Sequence, residues 1–184
     1  VYMVVDLFAS PFGNSGTLRM ANVSLHRDGL TGQYITPREL FGENTGETTI
    51  ANSIISGYSG EFCGQVQSLG HNLVDAPDCA FDSEGDIVGE PSKLIWAPVK
   101  VNWNPQGREV LARALEPLAD SPAVDSGRPG DCASGSLLDP QRDALDGDGD
   151  GITMCDRGAL ERRPATLREG GVNGLYYNPA ADGH

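Results

Sequence analysis

Asp146, Asp148 and Asp150 alternate with Gly147, Gly149 and Gly151 in the stretch DGDGDG. Three carboxylates this close repel one another unless something neutralises them. They fall on positions 1, 3 and 5 of a D-x-D-x-D-G loop, with Gly151 at position 6, where such a loop turns sharply. Ile152 at position 7 would offer its backbone carbonyl. This is the chemistry of a hard cation held by oxygens, and the spacing is that of a calcium loop. The bidentate Glu expected at position 12 is absent, because Arg157 stands there. Asp156, one residue earlier, is the expected substitute ligand, and Asp143 is a second candidate. No helices are legible on either side, so an isolated Asp-rich loop is expected rather than an EF-hand domain. The competing expectation is a solvated acidic turn.

Catalytic constellations are harder to find. Nucleophilic hydrolysis needs a nucleophile, a base and an orienting group. The histidines are His26, His71 and His184. GYSGE (57–61) lacks the glycine spacing of a nucleophile elbow. There is no H-E-x-x-H and no phosphate-cradling glycine loop. Asp75, Asp78, Asp82 and Asp86 cluster along the chain around Cys79, as the acids of a polysaccharide-cleaving groove would, but the surrounding sequence predicts solvated turns. No catalytic residue is assigned on this reading.

Trp96, Trp103, Tyr176 and Tyr177 are candidates for stacking on sugar rings. The competing expectation for LIWAPVKVNW (94–103) is a strand with buried aromatics. Asn22-Val23-Ser24 fits a glycosylation sequon.

The cysteines are Cys63, Cys79, Cys132 and Cys155, with no C-x-x-C spacing. An even number in an acidic, glycine-rich chain favours disulfides and an oxidising compartment. Proximity along the chain predicts Cys63–Cys79 and Cys132–Cys155, against the alternative of buried free thiols. Each bridge would close a short loop, worth roughly 3 kcal/mol in the chain-entropy model.

Composition narrows the function classes. The 184 residues carry 13 Lys and Arg against 26 Asp and Glu, a formal net charge of -13. That balance excludes a nucleic-acid binder, whose footprint is basic, and an anionic membrane surface as partner. No apolar run approaches the ~20 residues that span a bilayer. Val1 is not an initiator, so the chain reads as processed or excerpted.

The elements that must position these residues are short and β-rich. VYMVVDLFA (1–9), TLRMANVSLH (17–26), TTIANSIISGY (48–58) and LGHNLVDA (69–76) read as strands between turns. GREVLARALEPL (107–118) is the one stretch that predicts a helix. Three stretches repeat: ANVSLH (21–26), ANSIIS (51–56) and, more loosely, HNLVDA (71–76). Asn22, Asn52 and Asn72 thus recur at offsets of 30 and 20. One short strand plus turns at such a period marks a solenoid, and here a parallel β-helix with an Asn at each corner bonding to the Asn of the next coil. Residues 39–47 would be a loop thrown out between coils. An antiparallel sandwich with similar strands is the alternative.

Several of these stretches, in order, resemble a known family: ANSIISG with Cys63, SLGHNLVDAPDC (68–79), GDIVGEPSKL (85–94), PLADSPAVDSG (117–127) and CDRGALE (155–161). Together they resemble the C-terminal part of bacterial right-handed parallel β-helix surface proteins. In particular they are similar to the choice-of-anchor Q domain, often found with a CSLREA motif. The resemblance covers roughly residues 48 to 161. It departs at DPQRD (139–143), where a glycine is missing, and in CDRGALE, where Arg157 replaces Ile and Leu160 replaces Phe. The Asp-rich loop stands between these departures as an insertion, so the resemblance does not extend to metal binding.

The resemblance implies an all-β fold whose residues 1–106 are β-helix coils. Residues 107–161 would form an irregular, disulfide-stapled cap rich in Pro117, Pro122 and Pro129, protecting an open end from edge-to-edge pairing. Residues 162–184 would be a linker and the start of a truncated further module. The implied protein is extracellular or on the cell surface, structural or adhesive, with surface glycans, other surface proteins or copies of itself as partners. The rival expectations are a carbohydrate-active β-helix, lyase or hydrolase, and a subunit of an extracellular filament.

Overall fold

The computed structural model describes residues 16–27, 46–102, 109–131 and 144–163. Among these the expected all-β class holds: there are nine strands and a turn of 3-10 helix at Cys63–Gln65. The segments 1–9 and 39–45, with Trp103, Cys132, Asp143, Tyr176, Tyr177 and His184, lie outside the described residues.

Seven strands form two parallel sheets. The first orders β1 (Thr17–Ala21), β3 (Glu47–Ala51) and β5 (Gln67–Ser68). The second orders β2 (Ser24–His26), β4 (Ile54–Ser56), β6 (Leu73–Val74) and β7 (Ile87–Val88). The chain alternates between the sheets, and each pass lays its strands beside those of the pass before. Thr17 pairs with Glu47 and Ser24 with Ile54, so the first two passes are offset by 30 residues in both sheets.

The corner between β1 and β2 is Asn22-Val23, and that between β3 and β4 is Asn52-Ser53. Asn22 and Asn52 both have positive φ, a conformation Asn tolerates because its short side chain bonds locally. A single side-chain bond joins the two corners: Asn52 Nδ2 donates to Asn22 Oδ1 at 2.6 Å.

The third pass departs from the expected alignment. Ile54 pairs with Leu73, an offset of 19 rather than 20. The residue at the left-handed corner is therefore His71 (φ 56), not Asn72. Asn72 takes the place of Ser53 and turns inward: its Oδ1 accepts from the Ser53 N–H at 3.1 Å, and its Nδ2 donates to Ser68 Oγ and Ile50 O. The three asparagines thus hold two different jobs.

The two faces of β4 are both buried, against different partners. Ile55 joins Leu25, Val74, Ile50, Phe62, Cys63, Val66 and Cys79 in a core shared by both sheets. Ile54 points the other way and packs with Leu73 and Ala123, flanked by Ile87 and Leu94. Fully burying side chains of this size contributes roughly 1.5–3 kcal/mol each. The Cys63–Cys79 disulfide, expected from sequence, ties the 3-10 turn to the turn after β6.

Two findings overturn sequence expectations. Residues 109–117 are not helical: β9 (Glu109–Pro117) pairs antiparallel over nine residues with β8 (Leu94–Asn102). Leu, Ala, Arg and Glu give that stretch helix propensity, but cross-strand pairing satisfies its backbone and overrides a preference worth only tenths of a kcal/mol per residue. The Trp96 ring is half-buried, edge-on to His26 at 6.5 Å, rather than sealed inside a core. After the ribbon, residues 121–131 and 155–161 bond to the first three passes.

Candidate metal centre

The Asp-rich loop is closed at its base by an antiparallel bridge between Leu145 and Met154. Inside, the carboxylates organise the backbone. Asp146 Oδ1 accepts the Gly149 N–H at 2.6 Å, and its Oδ2 accepts the Gly151 N–H at 3.0 Å. Asp148 Oδ1 accepts from Asp150 N at 3.0 Å, and Asp150 Oδ1 from Ile152 N at 2.7 Å. Short Asp side chains bonding to amides two to five residues ahead explain why this sequence turns so tightly.

Three carboxylates converge: Asp125, Asp146 and Asp148 each bring an oxygen within 4.8 Å of the others, a group able to hold a metal ion. Asp150 and Ile152 are exposed on the loop and stand outside that group. Asp125 was not foreseen from sequence, because it lies 21 residues before Asp146 in proline-rich wrapping chain. It sits at positive φ and its two oxygens accept from Gly147 N (2.9 Å) and Met154 N (3.4 Å). Burial raises its pKa, opposed by those backbone bonds, and the nearby Asp148 charge raises it further. A carboxyl pushed up by a neighbouring carboxylate is one that a cation would relieve.

Asp156, the expected substitute ligand, lies behind the loop. It is fully buried, and its carboxylate accepts from Asp125 N at 2.9 Å and from Arg162 N. Its own N–H donates to Glu161 Oε2 at 2.9 Å. Burial first, and the Glu161 charge second, push the Asp156 pKa up to about 7. Asp156 therefore positions Asp125 rather than joining the three-carboxylate group.

Arg157, the residue that displaced the expected Glu, is 4% exposed. Its Nε donates to Ser126 O and Oγ, and its Nη1 to Asn72 O at 2.8 Å. Desolvation lowers its pKa to about 10, opposed by the Asp86 charge. The next residues continue along the sheet: Gly158 N donates to Asn52 O at 2.9 Å, and Ala159 N to Ser24 Oγ at 3.1 Å. Residues 155–161 thus form a strap crossing the passes one by one. Only glycine fits at 158, where φ is +90 and a Cβ would meet Ser24 Oγ at 2.6 Å and Ile54 Cδ1 at 2.8 Å. Cys155, at the head of the strap, is disulfide-bonded, and its expected partner Cys132 is outside the described residues.

In the other acidic cluster, Asp75, Asp78 and Asp86 bond to neighbouring backbone and hydroxyl groups. Asp75 accepts from Ser56 Oγ (2.7 Å) and Gly57 N, and Asp78 from Gly60 N. Asp86 accepts from Ser68 Oγ, Asn72 N and Ser83 N. Asp75 and Asp86 thus buttress successive passes, whereas Asp78 and Asp82 are exposed in turns, as expected. No helix among the described residues is long and apolar enough to cross a membrane. No protein-family model, curated protein or solved structure matches the chain.

Proposed function

We propose that this chain is the C-terminal portion of a right-handed parallel β-helix protein, secreted or displayed on the cell surface, with a structural or adhesive role and a stabilising calcium ion. The observation that carries the reading is the registered stacking of successive passes in two parallel sheets, with a repeated left-handed corner at Asn22, Asn52 and His71. Repetition of one short unit suits a scaffold or stalk. The Cys63–Cys79 disulfide supports an oxidising compartment outside the cytoplasm. The likeness to choice-of-anchor surface proteins adds the surface location, with glycans or neighbouring surface proteins as partners.

Calcium suits the Asp125–Asp146–Asp148 group because the donors are hard carboxylate oxygens in flexible loop geometry. Each oxygen that already accepts a backbone N–H keeps a second lone pair for a cation. Asp150 and the Ile152 carbonyl, exposed on the same loop, are the candidates to complete the shell. When bound, the ion would neutralise the loop and fix it against Asp125.

Titration calorimetry and thermal unfolding test this reading together. Calcium is expected to raise the melting temperature, excess chelator to reverse the rise, and Asp125→Asn to abolish it. An unchanged melting temperature in calcium and in chelator would remove the ion from the proposal. A glycan array and a polysaccharide-cleavage assay address the role. Turnover abolished by a single Asp substitution would replace the scaffold reading with that of a carbohydrate-active β-helix.

A further inference from the structure

The loop contains three Asp-Gly bonds, at Asp146, Asp148 and Asp150. Asp-Gly bonds isomerise because glycine has no side chain to hinder its nitrogen. The Gly nitrogen attacks the preceding Asp Cγ, giving up its proton as the carboxyl gives up an oxygen, and one water leaves. The resulting succinimide is reopened by water at either carbonyl. Opening at the Cα carbonyl routes the backbone through the Asp side chain as an isoaspartate, with composition unchanged. Asp148, Gly149, Asp150 and Gly151 are exposed, so the water that reopens the ring is at hand.

In this structure none of the three attacking nitrogens is available. The Gly147 N–H donates to Asp125 Oδ2 at 2.9 Å. The Gly149 N–H donates to Asp146 Oδ1 at 2.6 Å, and the Gly151 N–H to Asp146 Oδ2 at 3.0 Å. Each is held by a carboxylate other than the one it would attack. A hydrogen bond to an anion retains the amide proton and turns the nitrogen away from its own Cγ, so the reacting atoms are kept from an attack geometry.

We propose that Asp146, Asp148 and Asp150 are latent isoaspartate sites, guarded residue by residue: Asp125 protects Asp146, and Asp146 protects both Asp148 and Asp150. The guard belongs to the folded loop and does not depend on a bound cation. Once the loop opens, isomerisation adds a backbone methylene and the carboxylates cannot return to their places, so the change records the opening permanently.

The test is peptide mapping for isoaspartate after prolonged warm incubation in chelator. Four samples are compared: the folded protein, the protein held in urea, and the variants Asp125→Ala and Asp146→Ala. The folded protein is expected to stay unmodified in the loop, and the urea sample to be modified at all three bonds. Asp125→Ala is expected to gain isoaspartate at Asp146 while Asp148 and Asp150 stay intact. Asp146→Ala is expected to gain it at Asp148 and Asp150. In Asp125→Ala general unfolding would modify all three bonds, so the site-by-site pattern separates guarding from lost structure. In Asp146→Ala the two remaining bonds react in either case, and the retained fold decides between them. Circular dichroism on the same samples identifies an unfolded variant, and Asp146→Ser then replaces Asp146→Ala. Equal modification of the loop in folded and urea samples, or a variant pattern unrelated to the donor–acceptor pairs, would overturn the proposal.

Discussion

The stacked passes and the strap that crosses them are held by opposite means. In the stack, each strand is bonded to the next by the same backbone pattern, and the two sheets share an apolar core in which Ile50, Ile55, Phe62 and Val74 are all essentially inaccessible. The strap makes few backbone bonds and relies on buried polar groups that do not repeat along the chain: Asp156, Arg157 and Glu161 are at most 4% exposed. A repeated ladder spreads its stability over many equivalent contacts. A strap of single contacts concentrates its specificity in a few side chains, where an unpaired group costs its full desolvation.

The largest expected effect tests the stack. Phe62→Ala should cost about 3–5 kcal/mol in urea unfolding, because Phe62 is fully buried in the shared core. Stack and strap should be lost in one transition. Two separate transitions would show that the strap is an independent unit.

Next comes pH, which acts on the strap. The Asp156 pKa is raised from 3.8 to about 7 in the folded chain, chiefly by burial. The folded form then holds a proton that the unfolded chain releases between those two values. The stabilisation from this group should therefore be full below about pH 4 and be lost as pH rises through 7, by up to roughly 4 kcal/mol. Melting measured in chelator from pH 5 to pH 8 checks the sign. Asp156→Asn should flatten the slope, and an unchanged slope would assign it elsewhere.

Arg157→Ala should cost about 2–3 kcal/mol, since it leaves Asn72 O and Ser126 O without their charged donor. Hydrogen exchange should rise at Gly158 and Ala159 more than at Ile55 and Val74. In a double-mutant cycle, Arg157→Ala should couple to Ile54→Ala, on the strap-facing side of β4, and add independently to Ile55→Ala on the other. Coupling to both positions would erase the distinction between the two regions.

The smallest effect isolates one corner. Asn52→Ala loses the side-chain bonds and strains a left-handed residue, whereas Asn52→Gly loses only the bonds. Glycine should be the better tolerated by about 1 kcal/mol. Equal costs would mean that the corner conformation adapts.

Much of the stack was legible in the sequence. ANVSLH and ANSIIS align at the observed offset of 30 because the corner conformation, the inward apolar residue and the strand length repeat together. The third pass misled by one residue, since identity favoured Asn72 while the backbone placed His71, a less common left-handed residue, at the corner. The ribbon was misread because EVLARALE carries helix formers and only its partner strand decides otherwise. At the metal loop, the local turn was readable from D-x-D-x-D-G, but Asp125 was not, because tertiary packing brings it in from 21 residues away. The residue that spoiled the calcium pattern, Arg157, carried a signal of its own: an arginine between Asp156 and Gly158 whose role is to anchor the strap.

The strap also sets a limit of scale. It advances one residue for each pass it crosses, and an extended residue spans at most about 3.6 Å. Neighbouring strands stand about 4.8 Å apart. Two rulers with unequal divisions agree at one mark and drift apart on either side. Here the agreement falls at Gly158 and Asn52, where backbone meets backbone. On one side the long Arg157 side chain reaches to Asn72, and on the other the Ser24 hydroxyl reaches to Ala159. A strap of this pitch is a vernier that fits three passes, and a taller stack would have to fasten its further passes with a different segment.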